Sequence, residues 1–492
     1  MPEYEAPRPL TNEDTSGAGE NRPPEPVPLR EKIALGCGFV ASQGSDNIIH
    51  VLANPVYNVT MGLSPALIGV LLFIQRVWSL VADPIAGQFS DNFRSRFGRR
   101  RPLLGMAAVP LALFFAGLWL LPSHAAGRSL FLYLLAVSLL FYTARSFYSI
   151  PLLALQAEAT GDHHERTRLT GFTQIFYFVF AIVPNWLFAW IQGPVVAEPL
   201  AGVRCVGFAF GALFLAAGLV PVFLARERLY GPIASRQGRE SLRRNLRTVV
   251  ANRPFLLILG AQCATSFGYN VVGVLGLYIT FYYVYGGDIP RAAVMQSWAG
   301  TAFQVAAIVS IPLYRRLSAA IGKKGTLQVA AAVLMAGGVA RMTLFQPGHP
   351  WLIVLIWAAS GAGTAGVSIL CLSMLADAID CEELRTGARR EGVYASALSL
   401  CDKLGYSVGG LLSGFILVGI GFDVHLGGRQ QAETLFLMRS LYAALPFAGA
   451  LAAALIIHRY PLSQGRADAI ADELKASRRL RAAFGKTSGL QN

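Results

Sequence analysis

Apolar residues in this chain come in long blocks separated by short polar joints. The blocks fall at about 33–53, 64–90, 102–121, 129–157, 169–191 and 203–225. Six more follow at about 254–285, 291–313, 325–346, 350–375, 392–420 and 433–458. A helix needs about 20 such residues to cross the hydrocarbon core of a bilayer. Blocks of this length exclude half-buried strands, which alternate every second residue, and predict membrane-spanning helices. The pattern therefore predicts an all-α membrane protein of twelve transmembrane helices, six on each side of a polar, arginine-rich joint.

The polar stretches set the domain layout. Residues 1–31, rich in Pro, Glu and Asn, read as a disordered tail. A first six-helix bundle is expected over 32–225, a basic linker over 226–253, a second bundle over 254–459 and a tail over 460–492. The first thirty residues lack an apolar core, so no cleavable signal is expected and the first span serves as its own.

Composition narrows the class. Of 492 residues 54% are hydrophobic and only 14% charged, against about 25% charged in soluble domains. The net charge of +14 would suggest a nucleic-acid partner in a soluble protein. Here the cations sit in the joints: 33 of the 42 Lys and Arg fall on one side, and only Arg128, Arg204, Arg291 and Arg429 on the other. That asymmetry predicts both termini in the cytoplasm and no nucleic-acid partner. Trp119, Trp186, Trp190 and Trp351 fall near the predicted outer ends, where an aromatic belt would lie. The six cysteines form no metal-type pair, so neither a disulfide framework nor a zinc site is expected. His163-His164 lacks the HExxH spacing and no GxxxxGK[ST] loop occurs, which argues against a metalloenzyme and against ATP-driven transport. No cofactor is implied beyond a coupling ion, and a monomer is expected.

The two halves carry matching joints about 220–225 residues apart. Gly98-Arg99-Arg100-Arg101 follows the second span; Arg315-Arg316 and Gly322-Lys323-Lys324 follow the eighth. Ala157-Glu158 with Glu165-Arg166 follows the fourth, and Ala376-Asp377 with Arg389-Arg390-Glu391 the tenth. Such repetition predicts two pseudo-symmetric bundles that bind a substrate between them and rock. Asp91, Arg99, Arg100, Glu158, Arg166, Asp377 and Arg389 could form gating ion pairs on the basic face; the plainer alternative is loops that only set orientation.

Charges inside spans carry the candidate chemistry. Asp46, Arg76, Asp83, Arg145, Asp402 and Lys403 lie within apolar runs, where each would cost about 2.5–3.5 kcal/mol or more if lipid-exposed. They must therefore face a shared wet cavity and compensate one another. Arg76, Ser79 and Asp83 share one helix face at i, i+3 and i+7. Asp83 with Ser79 and Asp46 forms a candidate cation-coupling set, for H+ or Na+. Asp46, Arg145, Ser149, Trp78, Tyr142 and Lys403 are candidate substrate contacts; Asp46, Arg145 and Lys403 could instead only pair with acidic or basic neighbours. Gly405, Gly409, Gly410 and Gly414 mark a small-residue face on the eleventh span, read as helix packing with flexible hinges as the alternative.

Three stretches carry a resemblance. They are Arg76-Val-Trp78-Ser-Leu-Val-Ala-Asp83-Pro84-x2-Gly87 with Arg94-Ser-Arg96-Phe-Gly98-Arg99-Arg100-Arg101-Pro102, then Ile150-Pro151-Leu-Leu-Ala154-Leu155-x2-Glu158-x-Thr160-x-Asp162-x2-Glu165-Arg166-Thr167. The third is Asp377-x2-Asp380-x-Glu382-x2-Arg385-Thr386-Gly387-x-Arg389-x-Glu391-Gly392, continuing to Lys403-Leu404-Gly405. Together they resemble the glycoside–pentoside–hexuronide:cation symporters, the melibiose-carrier group of the major facilitator superfamily. The resemblance implies cation-coupled uptake of a sugar, glycoside or sugar acid across a bacterial inner membrane. It matches Asp46 and Lys403 to functional positions and Asp83 to the second of two cation-binding acids. Ser79 stands where the first acid would be, and Ser149 where sugar-transporting relatives carry an acid before Ile-Pro. A second cargo on the same fold, a lysophospholipid or other amphiphile, is the alternative.

Overall fold

The computed structural model describes residues 27–96, 98–122, 127–160, 163–227, 252–386 and 391–462, with short pieces at 464–466, 469–470 and 473–474. The head, most of the linker and most of the tail lie outside these. The described chain is helical throughout its spans. We number them α1 (29–60), α2 (Pro65–Asn92), α3 (Arg101–Trp119), α4 (Gly127–Glu158), α5 (163–191) and α6 (Pro199–Leu224). The second half supplies α7 (Arg253–Val284), α8 (289–321), α9 (323–344), α10 (Leu352–Thr386), α11 (Glu391–Gly419) and α12 (Ala432–His458).

Among the described residues nine stretches are long and apolar enough to cross a bilayer. One of them, Ile289–Leu344, is 56 residues long. Straight, it would reach about 84 Å at 1.5 Å per residue, far beyond any bilayer. Gly322, at φ +78°, turns the chain there and divides α8 from α9. A left-handed backbone of this kind is open to glycine and costly for other residues. The basic joint expected at 315–324 is thus a tight corner. With α1 and α11 the spans number twelve.

Two first-of-half helices end alike. α1 widens into π turns at Val40–Gly44 and Ala53–Thr60, and α7 at Ile279–Val284. A π turn shifts the i→i−4 register and frees carbonyls for side chains. The shared ending is the pseudo-symmetry of the halves expressed in backbone geometry.

The apolar core explains how the halves sit. One cluster runs through the first half and continues into the far ends of α7, α8, α10 and α12, with Leu275, Tyr278, Phe281, Ala299, Ile356 and Tyr442 among its members. A separate cluster, including Phe255, Tyr314, Leu327, Met374, Tyr394 and Ile457, fills only the second half near the face that carries the termini. The halves are therefore fused at the face opposite the termini and part toward the terminal face. Hydrogen bonds agree: Tyr278 donates to Asn58 Oδ1 (2.7 Å), Trp186 to Thr301 (3.0 Å) and Ser297 to the Asn185 carbonyl (2.7 Å), all at the sealed end.

Small residues let α2 and α11 approach across the same divide. A Cβ on Gly69 would stand 2.8 Å from the Gly410 carbonyl, and one on Gly414 would strike the Pro65 carbonyl. The glycine face is packing, as its spacing implied.

Two expectations are corrected. Trp119 is no belt residue: it is fully buried, stacked on Tyr57 with ring centroids 5.6 Å apart. Phe115 of its own helix and Gly207 of α6 close around the same indole. Cys263 and Cys401, 138 residues apart, bring their sulfurs to 2.08 Å and join α7 to α11. No spacing rule connects two isolated cysteines that far apart, so this link has no signature along the chain.

Candidate functional site

Between the halves lie two adjacent chambers. The first, of about 230 Å3, is lined by His50, Asn54, Arg76, Asn185, Gln296 and Trp357 among others. The second, of about 410 Å3, lies nearer the terminal face and is lined chiefly by α7, α8 and α10 with Asp402 of α11. Asn270 and Tyr406 line both. Chambers of this combined size suit a small polar solute. Carboxamides offer both a donor and an acceptor, while Trp357 and Phe188 provide flat apolar surface.

The first chamber is backed by a charge knot. Asp46 Oδ1 accepts the Tyr142 hydroxyl at 2.6 Å, and Oδ2 takes Arg76 at 3.1 Å and Arg145 at 3.4 Å. The π turn at Val40–Gly44 matters here: the Ser42 carbonyl accepts Arg145 Nε at 3.1 Å, while Gln43 Oε1 holds Nη2 at 2.8 Å. Both guanidiniums lie over the Tyr142 ring, at 5.8 and 5.9 Å. Arg76 also abuts His50, whose ring lies 3.6 Å from Asp46 Oδ1. Two guanidiniums thus share one carboxylate. Arg76 and His50 face the chamber, whereas Asp46, Tyr142 and Arg145 form the row behind them.

Asp83 makes a second, thinner site. Its Oδ1 accepts Ser146 at 2.6 Å, and its Oδ2 meets Lys403 of the other half at 3.3 Å. Ser79 does not join it; that hydroxyl donates to the Gln75 carbonyl of its own helix at 3.1 Å. Trp78 departs from its expected role. It is 39% exposed on the same outward face as Val77 and Val81, with its indole N–H donated to Thr143 at 2.9 Å. One residue step rotates a helix side chain by about 100°, so Trp78 leaves the face that Arg76 and Ser79 hold. Ser149 is half-buried and lines neither chamber, because α4 lies behind α1 and α2.

Other site residues escaped the sequence reading. On α7, Gln262, Thr265, Ser266, Tyr269 and Asn270 fall at i, i+3, i+4, i+7 and i+8, and all five line the second chamber. In a membrane helix such a stripe marks the wet face, and this spacing was the available signal. Asp402 Oδ1 accepts Gln262 at 2.9 Å and Ser266 at 3.1 Å. The two remaining span arginines use neutral partners. Arg341 donates to Ser360 (2.8 Å) and stacks over Tyr442 (4.8 Å); Arg439 donates to Tyr283 (2.9 Å) and the Met342 carbonyl (2.7 Å).

On the terminal face the gating candidates assemble within each half. Asp91 meets Arg99 (3.1 Å) and Arg100 (2.8 Å), and Glu158 meets the same pair at 3.5 and 3.1 Å. In the second half Asp377 holds Lys323 at 2.7 Å. Arg389 and the Arg166 side chain lie outside the described residues. The N-terminal segment is strapped down as well: Glu165 accepts Lys32 at 2.6 Å and the Val27 N–H at 3.2 Å. The Lys32 hydrogen bond holds the Glu165 carboxyl below its usual range.

Glu227 was not foreseen. Its carboxylate accepts the backbone N–H groups of Arg99, Arg100 and Arg101 at 2.8, 2.7 and 2.9 Å, capping the start of α3 from the end of α6. An anion there satisfies free donors and the helix dipole together. Glu227→Ala should lower stability by about 1–2 kcal/mol, read as a fall in the unfolding midpoint of detergent-purified protein. An unchanged midpoint would show the cap to be dispensable.

Twelve spans in two halves, sealed at one face around a polar cleft, define a membrane transporter of the major facilitator type. Residues 34–464 match the profile of the family described as MFS/sugar transport protein, and the chain belongs to that family. It is a transporter, not an enzyme. The chain is 28% identical over 432 residues to a glucuronide carrier protein homolog of Escherichia coli (strain K12), covering 85% of this chain and 89% of that protein. It is 22% identical to an isoprimeverose transporter of Lactiplantibacillus pentosus, covering 86% of each. A bacterial homolog of the human lysosomal transporter Spinster, in an inward-facing and unoccupied conformation, has a similar fold. The TM-score is 0.63 at 15% identity, covering 89% of this chain and 98% of that one.

Proposed function

We propose that the protein is a cation-coupled symporter of an anionic sugar, a uronate or uronide, working by alternating access in a bacterial inner membrane with both termini cytoplasmic. The observation that carries the substrate is the Asp46 knot: two guanidiniums against one carboxylate leave the chamber wall one positive charge in excess. A substrate carboxylate near Arg76 would balance it, with the carboxamides of Asn54, Asn185 and Gln296 left for hydroxyls. The name of one relative, a glucuronide carrier homolog, points to the same chemistry. The 33-to-4 bias of cations favours the stated orientation. Coupling falls to Asp83, which is held by Lys403 here and would take H+ or Na+ when the ammonium withdraws.

Binding of a hexose and of its uronate to purified protein tests this. The uronate should bind about tenfold or more tighter, the worth of one charge-assisted hydrogen bond. Arg76→Gln should erase the difference and leave the hexose little affected. Equal affinity for both sugars in the parent protein would overturn the anionic reading.

A further inference from the structure

The intramembrane carboxylates differ in how they are neutralised. Asp46 has two arginines and Asp83 has Lys403. Asp402, half-buried on α11, has no cation within ion-pair distance among the described residues, although it lies in a span. Its Oδ1 accepts only neutral donors, the Gln262 amide and the Ser266 hydroxyl. The amide of Gln262 also reaches Ser368 Oγ at 3.4 Å. Gln262 is 5% exposed, and its Oε1 is buried without a hydrogen-bond partner. A buried acceptor left unmade costs about 1–3 kcal/mol, and an uncompensated carboxylate in a span costs more. All four side chains line the second chamber. What is missing is one positive charge.

We propose that Asp402, Gln262, Ser266 and Ser368 form a second monovalent-cation site, for a proton or sodium, in the C-terminal half. Oxygen ligands are the ones hard cations prefer, and a proton needs only the carboxylate. Hydroxyls of a neutral sugar would fill the acceptors but leave the charge. The surroundings supply no substitute. Tyr406 stands on the same helix and Tyr269 on α7, while Cys371 of α10 is a buried thiol. Cys263 and Cys401 are bonded, and Lys403 meets Asp83; Arg76, which carries the surplus charge of the Asp46 knot, faces the first chamber and lies beyond ion-pair distance of Asp402. The site lies beyond the Asp83 site and adds to the coupled reading a second cation per cycle. An anionic substrate would then move with net positive charge.

Unfolding midpoints of the detergent-purified full chain, without sugar, test occupancy apart from transport. Sodium is compared with choline at fixed ionic strength, and acidic with alkaline pH. The midpoint should rise with sodium, or with acidity alone if the proton is the ligand. The rise should persist in Asp83→Asn and vanish in Asp402→Asn. If Asp402→Asn does not fold, Ser266→Ala should require about tenfold more cation. No response in the parent overturns the site, as does a response kept in both Asp402→Asn and Ser266→Ala. A response lost in Asp83→Asn but kept in Asp402→Asn does the same. Loss of sugar binding in Asp402→Asn with the cation response intact would make Asp402 a substrate ligand. None of these readouts depends on whether the sugar is anionic.

Discussion

Asp46→Asn should abolish uptake and sharply lower the yield of folded protein. Asparagine keeps the shape and still accepts the Tyr142 hydroxyl through Oδ1, so the hydrogen bond at 2.6 Å survives. The charge does not. Arg76 and Arg145, which now lie 3.1 and 3.4 Å from one carboxylate oxygen, would be left to repel each other in a site 8% exposed. Removing one partner of a buried ion pair costs about 3–5 kcal/mol, a large part of the marginal stability of a folded chain. Loss of charge should dominate over loss of contact, and a double variant separates the two. Asp46→Asn with Arg145→Gln removes the surplus cation and should recover much of the unfolding midpoint, while uptake stays lost. If Asp46→Asn alone unfolds at the parent temperature and transports, the knot is not held by charge.

The same cluster marks where sequence reading reaches its end. Twelve apolar blocks and the cationic bias were visible because the bilayer forces them on any chain that crosses it. The presence of Asp46, Arg76, Asp83, Arg145 and Lys403 in spans was visible for the same reason: hydrocarbon makes each conspicuous. Which acid meets which base was not visible, since pairing depends on how helices rotate against one another. Lys403 could have met Asp46 as readily as Asp83 on paper. Trp78 and Ser149 were misplaced because aromatic and small polar side chains are tolerated on either face of a membrane helix. His50, four residues from Asp46, shares its helix face, but one isolated histidine at that spacing is no signal by itself. The α7 stripe was legible in principle. Its uncharged members carry no large burial penalty, so only their 3–4 spacing distinguished them from packing.

Asp83→Asn should uncouple the carrier without unfolding it. The pair with Lys403 is the one charged contact between the halves among the described ion pairs, and it spans 320 residues of sequence. At 3.3 Å, with the lysine 44% exposed, it is weaker than the Asp46 knot. Solvent screens such a pair to about 1 kcal/mol or less, so its removal should cost little stability. Its effect lies in the balance between conformations. A contact made in one state and broken in another shifts their populations by its differential energy. Asparagine cannot hold Lys403 by charge, nor trade the ammonium for H+ or Na+. Counterflow exchange of labelled substrate should therefore continue, while accumulation against a gradient falls steeply. Lys403→Gln provides the opposite test: it leaves Asp83 without its ammonium and should raise the dependence of uptake on the coupling ion. If Asp83→Asn still concentrates substrate and Lys403→Gln leaves ion dependence unchanged, the pair is a strut between α2 and α11, and coupling rests elsewhere in the cleft.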